Sequence, residues 1–182
     1  MGWIVLGVVA LIAIYAVSQY NGFVNLKNVV EEAFSTMDVY LKKRYDLIPN
    51  IVETVKGYAS HEKETLEQVI AARNKAVNAS TPEAQLEAEG DLNKVMGRLF
   101  ALTESYPDLK ANTNFMDLQN QLQTIETEIA QSRKYYNGTV RQYNTKVESF
   151  PSNIIANIFN FIKKPLFEVT DAVERENVKV QF

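Results

Sequence analysis

His61 is the first residue to test for chemistry, because the only imidazole in the chain could carry a proton or hold a metal ion. It stands in Ser60-His61-Glu62-Lys63. A zinc-binding helix needs a second histidine in the order His-Glu-x-x-His, and here Glu64 and Thr65 follow instead. The chain has no cysteine, so disulfides, thiol nucleophiles and cysteine-ligated zinc lack their ligands. Glu62, Glu64, Glu67, Glu126 and Glu128 are spaced like outward helix faces, and no Glu-x-x-His pair is present to build a di-iron bundle. No glycine-rich phosphate loop or dinucleotide turn occurs. Lys42-Lys43-Arg44 is a compact basic cluster beside Asp38 and Asp46. It reads first as a paired helix surface and second as a contact for anionic lipid or a partner. A ligand-binding or catalytic use of His61, Arg73 or the tyrosines lacks a second group to complete it, so His61 reads as solvated or helix-capping. We expect no enzyme activity, cofactor, metal or small-molecule substrate.

Residues without evident chemistry must serve architecture, and the composition says which kind. Apolar residues make up 46% of 182, enough for one core plus an anchor. A net charge of −3 gives no basic face for nucleic acid. Seven Gly and five Pro favour long helices over a turn-rich β fold. The expected fold is all-α: a transmembrane helix, an antiparallel up-and-down four-helix bundle and a short C-terminal amphipathic segment.

The anchor is Trp3–Tyr20. Trp3 to Val17 are uninterrupted apolar or small residues, and no charge appears before Lys27. A span needs about 20 residues, so this one is slightly short. Ile4, Val9, Ile12 and Tyr15 line it, with Trp3 and Tyr20 at its two ends, where amphipathic rings favour the headgroup level. A cleaved secretory signal would need a basic start and a small-x-small cleavage site. Only Met1 and Gly2 precede the apolar run, and Ser-Gln-Tyr-Asn-Gly follows it. Lys27, Lys42, Lys43 and Arg44 all lie after the span, so the positive-inside rule places the N-terminus outside and the domain in the cytoplasm. A domain on the outer side is the alternative.

Residues 21–150 carry the bundle. Phe23, Leu26, Val30, Phe34, Met37 and Leu41 keep a helical seam of coiled-coil type. Pro49 either kinks this helix or starts a new one, and beyond it Val52, Val55, Ala59, Leu66 and Val69 continue the seam towards Ala79. Ser80-Thr81-Pro82-Glu83 reads as a helix start, leading to Leu92, Val95, Met96, Leu99 and Leu102. After the loop Tyr106–Asn114, the residues Phe115, Leu118, Leu122, Ile125, Ile129, Ser132, Tyr136, Val140, Tyr143, Val147 and Phe150 predict a helix of about 35 residues, on the order of 50 Å long.

An up-and-down bundle returns Phe150 to the bilayer. In residues 151–167, Ile154, Ile155, Ile158, Phe159, Phe161 and Ile162 form an apolar face ending in Lys163 and Lys164. That run is too short to span. It either lies in the membrane interface or caps the bundle or a subunit contact. The acidic tail, residues 168–182, is expected to be mobile or partner-bound.

Several stretches resemble the LemA family of bacterial membrane proteins. The most specific runs from Lys42-Lys43-Arg44-Tyr45-Asp46-Leu47-Ile48-Pro49-Asn50 through Lys56-Gly57-Tyr58-Ala59 and His61-Glu62 to Ala71-Ala72-Arg73. Tyr106-Pro107-Asp108-Leu109-Lys110-Ala111-Asn112 leading to Phe115 also matches, as do Arg133, Tyr136-Asn137, Tyr143-Asn144 and Phe150-Pro151. The resemblance implies a short exposed N-terminus, one span, a four-helix bundle and a place in the bacterial cytoplasmic membrane. It implies no established enzymatic activity. A relative in magnetosome-forming bacteria implies a link to membrane shaping, and association with membrane zinc metalloproteases of the HtpX type is also implied. From the residues themselves, Arg44, Tyr45 and Asp46 with Lys56 and Tyr58 form either a core polar network or a subunit contact. Asn137, Tyr136, Tyr143 and Asn144 at seam positions would fix register through hydrogen bonds. The leading functional expectation is a scaffold that self-associates into a homo-oligomer and organises or shapes the bilayer. The alternative is an adaptor or regulator of another membrane protein, such as a membrane zinc metalloprotease.

Overall fold

The computed structural model describes residues 1–167, so the expectation for the acidic tail lies outside the described residues. Among the described residues six helices follow in order: α1 (Gly2–Lys56), α2 (Lys63–Val77), α3 (Pro82–Thr103), α4 (Pro107–Lys110), α5 (Thr113–Glu148) and α6 (Ser152–Ile158). No strand occurs among the described residues. The chain forms two compact units, one holding Met1–Asp38 with Ala130–Leu166 and the other built on Val39–Ile129.

In the first unit α1 begins with the apolar stretch, which is long and apolar enough to cross a membrane and has none of its most apolar window buried. Trp3 and Ile4 are 88% and 70% exposed. From Gly2 to Tyr20 a helix rises about 28 Å, close to the thickness of a bilayer's hydrocarbon core. Asn21-Gly22 does not break α1, which continues into the packed part of the unit. A side chain added at Gly22 would collide with the Lys146 ammonium, so the glycine leaves room for that cation. Past it the helix buries Phe23, Val30, Ala33 and Met37. On α5 of the same unit Tyr136, Val140 and Tyr143 are buried as well. The Phe23 ring meets that of Tyr143 edge-on at 6.3 Å, and Phe34 meets Tyr136 at 5.8 Å. Each buried aromatic removes enough apolar surface to stabilise the unit by about 1.5–3 kcal/mol.

The second unit gathers Leu41, Ile48, Ile51 and Val55 of α1 with Leu66 and Val69 of α2, Leu92, Met96 and Leu99 of α3, and Phe115, Leu122 and Ile129 of α5, all buried. Pro49 lies inside α1, so it neither ends that helix nor starts a new one. The helix stops at Lys56 instead, and Gly57 marks a break rather than a close helix contact. The second seam therefore does not run unbroken to Ala79: Ala59 is buried in the turn and α2 restarts at Lys63. Thr81 caps α3 by accepting from the Ala84 N–H at 3.1 Å, with Pro82 in the first turn. α2 and α3 pack together, and Lys75 of α2 reaches Glu87 at 2.9 Å and Asp91 at 2.7 Å on α3.

Two further expectations change. α5 ends at Glu148, and Phe150 is not a seam residue but 80% exposed, because it lies past the helix end in the turn before α6. The apolar segment forms helix only over Ser152–Ile158; Asn160 takes a positive φ of 56° and the chain then runs without regular structure to Phe167.

Candidate functional site

The polar residues of the second unit converge on one buried carboxylate. Glu89 of α3 and Arg44 of α1 are each 2% exposed. Arg44 Nη1 donates to Glu89 Oε2 at 2.8 Å, and Arg44 Nη2 donates to Asn93 Oδ1 at 2.6 Å. Arg44 Nε lies 2.9 Å from Glu126 Oε1 of α5, as an ion pair without an aligned hydrogen bond. The other Glu89 oxygen, Oε1, accepts from the Tyr45 hydroxyl at 2.5 Å. Burial, and then the charge of Glu89, push the Tyr45 phenol far above its ordinary range, so it is a donor at every physiological pH.

Several expected positions shift accordingly. Arg44 is not part of a basic surface patch, because the hydrophobic neighbours Leu41, Tyr45 and Ile48 turn that side of α1 inward. Lys42 and Lys43 remain exposed, with Lys43 Nζ 5.2 Å over the Tyr40 ring. Glu126 does not face outward alone but reaches the buried guanidinium. Asp46 is exposed, with Oδ1 3.8 Å from Arg73 Nη2. Arg73 Nε donates to the Tyr45 carbonyl at 3.0 Å. Lys56 pairs with its neighbour Glu53 on the surface, and Asn50 is exposed with its carbonyl accepting from Thr54.

A second cluster ties the turns of the same unit. Asn112 Nδ2 donates to the Tyr58 hydroxyl at 2.8 Å, while its Oδ1 accepts from the Phe115 N–H at 3.0 Å and caps α5. The Tyr106 hydroxyl donates to Glu62 at 3.2 Å, and burial with this carboxylate raises its pKa. Pro107 opens α4, Leu109 is fully buried and Lys110 pairs with Glu104 at 2.6 Å. His61 is exposed beside this cluster. Among the described residues, no three His, Asp or Glu side chains are grouped to hold a metal ion.

In the first unit the seam polar residues clamp the segment after α6. Asn144 donates to the Lys164 carbonyl at 2.9 Å and accepts from the Lys164 N–H at 2.8 Å. The Tyr136 hydroxyl donates to the Pro165 carbonyl at 3.0 Å. Burial, and then the charge of Glu31, raise the Tyr143 phenol pKa. Arg133 and Asn137 are half-buried on the same helix.

Glu89, Asn93 and the buried Gln85 were not among the expected site residues. Their signal is positional: stepping back from Leu92 by three and seven residues on the apolar face of α3 lands on Glu89 and Gln85. Both oxygens of Glu89 are engaged by protein donors, which makes the network a strut between helices.

Comparison with known proteins places this arrangement among relatives. The model of the LemA family matches residues 33–182. The Protein LemA of Metamycoplasma hominis is 24% identical over 163 residues, covering 89% of this chain and 74% of the relative. Magnetosome protein MamQ 2 of Paramagnetospirillum magneticum is 25% identical over 190 residues, covering 90% and 70%. Magnetosome protein MamQ of Magnetospirillum gryphiswaldense is 23% identical over 175 residues, covering 82% and 64%.

Proposed function

Because the chain belongs to the LemA family, we propose that it is a non-enzymatic helical scaffold, anchored by α1, that self-associates and organises or shapes the membrane that holds it. The observation that carries this reading is the exposed apolar start of α1, joined without a break to a helix whose buried polar groups bind other helices of the domain. The relatives named as magnetosome proteins carry a name that refers to a cellular structure rather than to a reaction.

The architecture we assign beyond the anchor is an antiparallel up-and-down four-helix bundle of α1, α2, α3 and α5. Within the first unit, Phe23 pairs with Tyr143 and Phe34 with Tyr136, so numbers rise along α1 as they fall along α5. Within the second, Lys75 pairs with Glu87 while Gln68 lies opposite Arg98, the same reversed order. Both patterns support alternating directions. The domain lies in the cytoplasm, with the positive charges of Lys27, Lys42 and Lys43 on the inner side.

Light scattering of the full chain in mild detergent over a range of concentrations tests the scaffold. A discrete homo-oligomer that a chain beginning at Asn21 fails to form supports it. A strict monomer at every concentration removes it.

One observation favours an adaptor instead. A groove of about 630 Å³ lies between the end of α1 and α2, lined by the apolar Val52, Leu66, Ile70 and Ala71 and by the charged Glu53, Lys56, Lys63 and Glu67. A surface of this kind suits a helix of another membrane protein. Cross-linking from Lys63 in cells that recovers only copies of this chain would rule that partner out.

A further inference from the structure

Apolar surface is concentrated just after α5. Ile154 and Ile158, one turn apart on α6, are 49% and 66% exposed, while Ile155 and Ala156 between them are buried. Phe159 and Ile162 follow at 52% and 66%. Large apolar side chains crowded into so short a stretch form a patch, and a patch of this kind marks an interaction surface.

What covers it follows from its neighbour within the same unit. The rings of Phe159 and Phe161 lie 4.8 and 5.7 Å from the ring of Tyr20, which closes the apolar stretch of α1. Phe161 also stacks on Phe23 at 4.8 Å, and Asn144 holds the next turn of chain by its two hydrogen bonds to Lys164. The segment is therefore fixed against the end of the anchor. A tyrosine at the end of a span sits at headgroup level, and residues packed on it share that depth. Cations occupy the same end: Lys146 Nζ lies 5.0 Å over the Phe23 ring, and Lys163 and Lys164 follow the apolar run. Lys163 is bound by Glu148 at 2.7 Å, which leaves its charge locally balanced.

We propose that the face formed by Ile154, Ile158, Phe159 and Ile162 inserts into the membrane interface beside the anchor, giving the chain a second, shallow contact with the same bilayer. α6, at seven residues, is too short to span, so the contact lies in the plane of the membrane. The inference rests on α1 crossing that bilayer.

The chain is naturally free of cysteine, which permits single-site labelling. Full-length Ile158→Cys, Ile162→Cys, Val9→Cys and Lys134→Cys would each carry an environment-sensitive fluorophore in phosphatidylethanolamine–phosphatidylglycerol vesicles. Nitroxide lipids with shallow or deep spin labels serve as quenchers. Ile158 and Ile162 are exposed, so neither substitution removes packing. The expected result is blue-shifted emission at 158 and 162 with strongest loss from the shallow quencher, at 9 from the deep one, and little loss at 134. Quenching at 9 but not at 158 and 162 overturns the second contact and leaves the anchor standing. Blue-shifted emission at 158 that lipid does not quench, and that reverts as protein is diluted in lipid, assigns the patch to a second copy and also overturns it. No quenching at 9 removes the anchor and this inference with it.

Discussion

Arg73 donates from Nε to the main-chain carbonyl of Tyr45 at 3.0 Å, and that carbonyl lies four residues before Pro49 inside α1. A helical carbonyl normally accepts from the N–H four residues on, and proline has none to give. Arg73 therefore supplies the bond that Pro49 withholds, which explains why a proline survives in the interior of so long a helix. The two residues form one device, although α2 contributes one and α1 the other.

The device gives a double-mutant cycle. Arg73→Gln leaves a buried carbonyl unsatisfied and should cost about 1–3 kcal/mol in chemical unfolding. In a Pro49→Ala background the new N–H takes over the carbonyl, and the same Arg73 substitution should cost less. Equal costs in the two backgrounds would show that Arg73 acts through Asp46 alone.

Glu89 supports a larger effect. Removing Glu89 leaves the buried Arg44 guanidinium with only the part-exposed Glu126 as counter-charge, a loss approaching the cost of about 3–5 kcal/mol for breaking a buried ion pair. Glu89→Ala should therefore strip most of the domain's stability, read by circular dichroism against urea. Pairing it with Arg44→Met removes both charges and should recover a large part of the loss. A double variant as unstable as Glu89→Ala would mean that the network is needed for more than mutual neutralisation.

These networks also mark where local reading of the residues stops. The cap at Thr81 and the long periodic run of α5 are local signals, and α3 and α5 begin and extend close to where that pattern puts them. Glu89 signals only by its helical phase with Leu92, and its charge argues against that phase, since a carboxylate is almost never buried unless paired. Its partner Arg44 stands 45 residues away, and nothing in either neighbourhood announces the other. Arg44 misleads for the same reason, because beside Lys42 and Lys43 its charge suggests surface while its helical phase with Leu41 and Ile48 turns it inward. Phe150 fails differently: it continues the spacing of α5, but the helix has already ended at Glu148.

Alkaline pH probes Tyr45. Its phenol is held neutral in the folded chain, with burial as the main cause and Glu89 next, while in the unfolded chain it ionises near pH 10. Below that pH both states keep the proton and stability is unaffected. Above it the unfolded state loses the proton first, so folding free energy falls by up to about 1.4 kcal/mol per pH unit. Tyr45→Phe should lower stability at neutral pH by losing the bond to Glu89 and should flatten the decline above pH 10, measured by urea titrations at a series of pH values. Tyr106 and Tyr143, whose pKa values are also raised, leave a residual slope. An unchanged slope in Tyr45→Phe would show that the phenol ionises as easily folded as unfolded.

The register of α5 is open to a paired test, because Leu122 is 5% exposed and Met116 is 48% exposed on the same helix. An aspartate at 122 would carry an unpaired charge into the core of the second unit. The cost is several kcal/mol, comparable with the whole stability of a small domain. Leu122→Asp should therefore lose its cooperative unfolding transition. Met116→Asp places the same charge where water already reaches, and its midpoint should stay within about 0.5 kcal/mol of the parent. Both positions lie in one helix and receive the same residue, and Met116 stands in its first turn, where an aspartate suits the helix dipole, so any large loss at 122 is owed to burial. A folded, cooperative Leu122→Asp chain would mean that α5 turns a different face to the core.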